Sequence, residues 1–280
     1  MLPAPLPTAR TSHSALRAVV ERVRATDPSL PDVRASVVFL TVQGAHHVGR
    51  GSGYANTVLS VRIGGAVGSC AVEPGQVDPG AVHDLVGRSV ADLLEHEDPA
   101  VRVAALDAHL ADRVPHAQHP AARTVRIPAG TSLEKSMARA RAVAELVPVA
   151  DGGTVAVIGV VNSLLAALRE RGAHPVPCDL KGGRTEWGEE VLRDHRAAIA
   201  GAQAVLASGM VLGNGTFDEI AALCAERGLP LVLFAQTGAA VLREMLGAQV
   251  HALSAEPYPF FWLSGESTDI HHYSAAGELP

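Results

Sequence analysis

Hydrophobic and polar positions follow two regimes along the chain. In the first, β-branched and apolar runs come early: Ala35 to Val42 (ASVVFLTV), then VLSVRI, then Val67 to Val72. Such runs read as strands. From Gly80 the spacing becomes helical, with Val82, Leu85, Val86, Val90, Leu93 and Leu94 on one face of AVHDLVGRSVADLLEH. Asp98-Pro99 opens a second helix, PAVRVAALDAHLADRV, with proline in its first turn. Ser14 to Arg24 reads as a short helix ahead of these strands. In the second regime, apolar runs of four to six residues alternate with helices. TVAVIG precedes SLLAALRERG, HPVPCDL follows, QAVLASGM precedes FDEIAALCAERG, and PLVLFA precedes AAVLREMLGA and QVHALS. Continuous apolar strands separated by helices are the mark of βαβ units and a parallel sheet covered on both faces.

The expected architecture is therefore α/β. A small α+β unit over residues 13–114 precedes a Rossmann-like domain over residues 131–280, a parallel sheet with helices on both faces. Residues 1–12 read as a leader, and residues 115–130, rich in Pro, His and Ala without a period, as a linker in which His116 and His119 are solvated. Thr131 with Glu134 three residues on is a capping-box pattern for a helix running to Leu146.

Composition narrows the function classes. Of the 280 residues 48% are hydrophobic and 19% charged, so a large core forms. A net charge of -6 gives no basic footprint for nucleic acid. No segment reaches the roughly 18 uninterrupted apolar residues of a membrane span, and MLPAPLPTAR lacks the pattern of a signal peptide. Three scattered cysteines, Cys70, Cys178 and Cys224, form no disulfide framework, and a cytoplasmic location is expected.

Candidate chemistry comes from the strand ends, because ligands of open parallel sheets sit beyond the carboxyl ends of the strands. Three ends place small or polar residues where a helix begins: Gly159-Val160-Val161-Asn162-Ser163, Ser208 to Thr216, and Ala235-Gln236-Thr237-Gly238-Ala239. Free N–H groups and the helix dipole favour an anion at such places. In the second, Gly213 and Gly215 allow φ > 0 and close approach, Asn214 offers a donor and an acceptor, and Thr216 is placed to cap a helix at Phe217 with Glu219 as partner. Asp179 lies 20 residues after Gly159, the spacing of a ribose-binding acid, although GVVNSL replaces the glycine fingerprint. Lys181 and Arg184, in the polar loop LKGGRTEWGEE, are candidates to meet an anion.

Four segments carry a family resemblance: RGSGYANTVL, the helical pair ending RVAALDAHLA, TVAVIGVVNSLLAALRERG and, above all, AVLASGMVLGNGTFDEIAAL. Over about residues 15 to 265 the chain resembles a bacterial and archaeal family labelled heavy-metal chelation proteins. Its members join a domain like the N-terminal domain of enolase to a Rossmann-like domain. The family often has Gly-Pro-Ser at the third strand end, where this chain has Ala235-Gln236-Thr237. The resemblance implies a site in the cleft between the domains.

On this reading the protein binds a small molecule or a metal ligand in that cleft, as an enzyme or as a binding protein. The expected ligand-binding residues are Asn162, Asn214, Gly215, Thr216 and Thr237, with Tyr54, Asn56 and Glu73 from the first domain. If a divalent metal is the cofactor, its candidate ligands are Cys70, His46 or His47, and His271 or His272. Only one member of each adjacent pair would serve, since neighbours on a strand face opposite ways. HExxH and CxxC are absent. Two other readings stand beside this one. The first is an enzyme using a nucleotide or S-adenosylmethionine, with Asp179 on the ribose. The second is a non-catalytic oligomeric module, for which the aromatic stretch Tyr258, Phe260, Phe261, Trp262 is a candidate homodimer surface.

Overall fold

The computed structural model describes residues 13–46, 48, 51, 53–258 and 264–275. Among them no helix is long and apolar enough to cross a membrane. The chain begins with helix α1 (Ser14–Thr26). An antiparallel sheet follows, ordered β1 (Ala35–Ala45), β2 (Tyr54–Ile63), β3 (Ala66–Val72). The region expected to be one amphipathic helix after Gly80 is two short ones, α2 (Val82–Leu85) and α3 (Val90–Leu94). Gly87 lies between them at φ 80°, outside helical space, and leaves Val86 exposed, so the single helix is corrected to a helix–turn–helix. Helix α4 (Pro99–Arg113) starts where its proline predicts, capped by the Asp98 carboxylate on the Ala100 N–H. It packs its small residues against the sheet: a Cβ on Gly68 of β3 would overlap the backbone of Ala108.

Residues 115–130, expected to be a linker, are corrected in the same way. They contain strand β4 (Arg123–Ile127), which pairs antiparallel with β10 (Thr268–Ser274) at one edge of a seven-stranded sheet. Polar residues alternate with apolar ones along this edge strand, so no apolar run marks it. His116 lies in a short 3-10 turn with its Nδ1 2.7 Å from the Tyr273 hydroxyl, and burial lowers its pKa to about 3, so it is not a solvated linker residue.

The rest of the domain alternates as expected. Helix α5 (Ser132–Glu145) carries the Thr131–Glu134 capping box. Then come β5 (Thr154–Ile158), α6 (Asn162–Glu170), β6 (His174–Cys178), α7 (His195–Ile199), β7 (Ala204–Ser208), α8 (Met210–Gly213), α9 (Phe217–Arg227), β8 (Leu231–Ala235), α10 (Ala239–Arg243) and β9 (Ala252–Ala255). Sheet order is β4-β10-β9-β8-β7-β5-β6, with the five strands from β9 to β6 parallel. Val155, Val157, Ala204 and Leu206 face α5 and α6 on one side. Ala156, Ile158, Val205 and Ala207 join a core on the other side that runs without a break through α1, α4 and the first sheet. The small unit is thus fused to one face of the parallel sheet. Helix α1 is tied to α9 by Asp218, which accepts from the Ser14 N–H (2.6 Å) and the Ala15 N–H (3.1 Å).

Candidate functional site

Strand β5 lies between β6 and β7, and the helices after β5 and β7, α6 and α9, pack on opposite faces of the sheet. That makes the β5–β7 boundary the topological switch point where ligands of such sheets collect. The two strand ends touch there. Gly159 sits at φ 86°, and a Cβ on it would come 2.7 Å from the Ser208 Cβ. Beside it, the Asp179 carboxylate accepts from the Val160 N–H (3.3 Å) and the Lys181 N–H (2.9 Å), which holds the loop after β6 against the loop after β5. Asn162, at the start of α6, accepts from the Glu186 N–H at 3.4 Å.

Strand β7 ends at Ser208, the first residue of the expected strand end. Met210–Gly213 is a helical turn that drives Val211 and Leu212 into the core. Its glycines serve close approach. A Cβ on Gly213 would lie 2.7 Å from the Cys70 sulfur of β3. Asn214 accepts through Oδ1 from the Thr216 N–H (3.1 Å) and the Thr216 hydroxyl (2.7 Å), an Asx turn that enters α9 past Gly215 at φ 76°. The expected Thr216–Glu219 capping box is therefore corrected. Thr216 makes no side-chain cap, and Glu219 faces His195 (3.2 Å) and Arg196. A polar side chain two residues before Thr216 reaches its N–H first.

At the third end, Thr237 is buried and Gly238 turns at φ 68° to donate its N–H to the Ser69 carbonyl of β3 (2.9 Å). A residue the sequence reading passed over closes this junction. Asp107, buried on α4, accepts from the Ser69 N–H (3.0 Å) and the Ala240 N–H (2.7 Å). Burial raises its pKa to about 6 against the pull of those donors and of the Gly238 N–H. Its signal was legible: Asp107 lies four residues after Val103, on the apolar stripe of its helix.

A cavity of about 340 Å³ lies between the end of the first sheet and the loops after β6 and β7, and Asn162, Asn214 and Thr237 are not among the residues that line it. Leu40, Val42, Val72 and Val77 supply its apolar walls, Met210 closes it from α8, and Asn56, Thr57 and Lys181 are its polar members. Of the eight expected ligand-binding residues, Asn56 lines it. Asn162, Asn214, Gly215, Thr216 and Thr237 belong to the loops just described. Glu73 is exposed beside the cavity wall at Pro74, its N–H bonded to the Gln76 side chain (3.1 Å). Tyr54 lies within electrostatic reach of Arg139.

Arg139 anchors a second polar group at the carboxyl edge. It pairs in two bonds, 2.8 and 3.0 Å, with Glu256, a carboxylate with no exposed side-chain surface. Gln236 (3.2 Å) and Ser254 (3.1 Å) donate to the same carboxylate. Tyr258 meets Thr41 of β1 at 2.6 Å.

The expected metal ligands are dispersed. Cys70 is buried under Gly213 with its thiol pKa pushed far up, and His46 is exposed after β1. His271 stacks on His116 with ring centres 6.0 Å apart, while His272 is fully buried on the other face of β10. His47, like Phe260, Phe261 and Trp262, lies outside the described residues. Among the described residues no three His, Cys, Asp or Glu side chains gather to hold a metal ion. The other thiols are buried, Cys178 with its pKa pushed to about 12 and Cys224 to about 11.

Comparison with models of protein families and with curated proteins finds no match. Among solved structures, the chain is similar to a DUF364-family protein of unknown function from Desulfitobacterium hafniense DCB-2. That likeness has 12% identity and a TM-score of 0.61, and covers 93% of this chain and 99% of that one. It is also similar to a DUF364-family protein of unknown function from Pyrococcus horikoshii, at 15% identity and a TM-score of 0.54, over 92% and 98% of the two chains. These likenesses establish a shared fold over nearly the whole chain.

Proposed function

We propose that this protein binds a small organic anion with an apolar body, in the cavity between the first sheet and the carboxyl edge of the parallel sheet. The observation that carries the reading is the cavity's position. It opens at the loops after β6 and β7, next to the switch point, where a sheet of this order collects ligands. Its volume of about 340 Å³ lies near the lower end of the roughly 300–1,000 Å³ of small-molecule pockets. The lining supports the chemistry. Aliphatic walls suit an apolar body, the Lys181 ammonium suits an anionic end, and the Asn56 amide suits a carbonyl or hydroxyl. Lys181 makes no ion pair with a carboxylate among the described residues, so its charge is available.

Heavy-metal chelation, the role implied by the resemblance, has no converging donor set among the described residues to support it. The nucleotide reading needs Asp179 for a ribose, and that carboxylate already holds the Val160 and Lys181 N–H groups. The organic anion is the reading that fits the lining.

Calorimetry with short aliphatic and aromatic carboxylates and with phosphate monoesters tests it. Lys181→Ala weakens binding about five-fold, the worth of an ion pair near the surface. Met210→Trp fills the cavity and abolishes binding. Affinity unchanged in both variants refutes the reading.

A further inference from the structure

The cation that lines the cavity sits on a turn shaped by its neighbour. Lys181 lies between β6 and α7, in a segment that comes back to the sheet at Leu192. There the Leu192 N–H donates to the Pro177 carbonyl (3.0 Å) and the Asp179 N–H to the Leu192 carbonyl (2.8 Å). The chain begins to reverse immediately after β6. The Asp179 carbonyl accepts from the Gly182 N–H (2.8 Å), a β-turn with Leu180 and Lys181 at its central positions. One oxygen of the Asp179 carboxylate accepts from the Lys181 N–H (2.9 Å), an Asx turn laid over the first. Gly182 follows at φ 64°, where a Cβ would overlap the Arg193 side chain. The Lys181 backbone is thereby fixed on both sides.

Asp179 also ties that turn to the rigid part of the sheet. Its second oxygen accepts from the Val160 N–H (3.3 Å), and beside it the Gly159 N–H donates to the Cys178 carbonyl (2.9 Å). A carboxylate serves two donors at once, one through each oxygen, whereas an amide has one acceptor oxygen. The Lys181 side chain itself is an exposed ammonium on a flexible stem, followed by two glycines. Were its backbone loose as well, more freedom would be lost at every binding event, and preorganisation removes that cost.

We infer that Asp179 is the positioning residue of the cavity: it touches no ligand, and it holds Lys181 where the ammonium meets the anionic end. This rests on the reading of the cavity as an anion site.

The test compares Asp179→Ala with Asp179→Asn in the full chain. Both remove the negative charge, so any gain in attraction for an anion is common to them, and only Asn keeps an acceptor for the Lys181 N–H. In calorimetry with benzoate and isovalerate, Asp179→Ala binds about three-fold more weakly than Asp179→Asn, the order of the cost of fixing one long side chain. The two variants bind the uncharged benzamide and isovaleramide alike. In the Lys181→Ala background they bind the carboxylates alike as well. Without ligand, hydrogen exchange of the Lys181 N–H is faster in Asp179→Ala than in Asp179→Asn. Equal carboxylate affinities, equal exchange rates, or a difference that persists with the amides or without Lys181 overturns the inference and leaves the cavity reading in place. Wild type that binds neither carboxylate, or binds them no better than Lys181→Ala does, overturns the cavity reading and this inference with it.

Discussion

Replacing Asp107 tests how the small unit is locked to the parallel sheet. The carboxylate is buried between α4, β3 and the start of α10 and accepts from the Ser69 and Ala240 N–H groups. Asp107→Ala strands both donors, at about 1–3 kcal/mol each, or roughly 2–6 kcal/mol together. A second effect opposes this one. A pKa of about 6 against an ordinary 3.8 means that the folded protein prefers the protonated acid. Between those values the folded state binds more protons than the unfolded one, so this group's contribution falls as pH rises and is at its best below the unfolded pKa. The difference between the two protonation states is about 3 kcal/mol. Wild type carries that cost above about pH 6, and the variant does not. The deficit of Asp107→Ala is therefore larger in acid, by roughly 2 kcal/mol between about pH 4 and pH 7. Urea unfolding followed by circular dichroism at both pH values, wild type beside variant, measures it. A deficit that is equal at both, or larger at neutral pH as an ordinary ion-paired aspartate gives, refutes the reasoning.

Three further outcomes follow from the geometry. Arg139→Met alone leaves the Glu256 carboxylate buried without its cation and costs about 3–5 kcal/mol, whereas Arg139→Met with Glu256→Leu recovers most of that; additive losses in denaturant unfolding would contradict the pairing. Asn214→Ala removes the acceptor of the turn into α9 and lowers stability by about 0.5–2 kcal/mol, read as a fall in Tm. His272 titrates with the opposite sign to Asp107. With its pKa lowered from 6.5 to about 4, the unfolded chain binds the proton first, so its contribution is present above pH 6.5 and is lost as pH falls towards 4. His272→Phe flattens that slope in the same pH series.

The parallel strands were legible because burial on both faces leaves nothing but apolar residues in them, as in Val155–Ile158 and Leu231–Ala235. Strand β10, by contrast, reads Thr-Asp-Ile-His-His-Tyr-Ser, and β4 carries two arginines. These two antiparallel strands at one end of the sheet mix polar with apolar residues, and no apolar run marks them. At the opening of α9, Gly213 is packed against Cys70 of the first sheet, a contact between distant segments that no local pattern names. Asn214 holds the N–H and the hydroxyl of Thr216. The Asn-Gly-Thr spacing already allowed an Asx turn. The Arg139–Glu256 pair spans 117 residues, and no local pattern announces a contact of that range. Asp107 was readable as a lone acid on an apolar helix stripe, and its partners were not, since they are backbone groups of distant turns.

The most direct measurement of the central claim is a crystal structure of the protein soaked with the carboxylate that binds best in calorimetry. The account predicts density between Val42, Thr57 and Met210, with the anionic end towards the Lys181 ammonium. Density for the same compound elsewhere on the molecule, with that cavity holding only solvent, would contradict it.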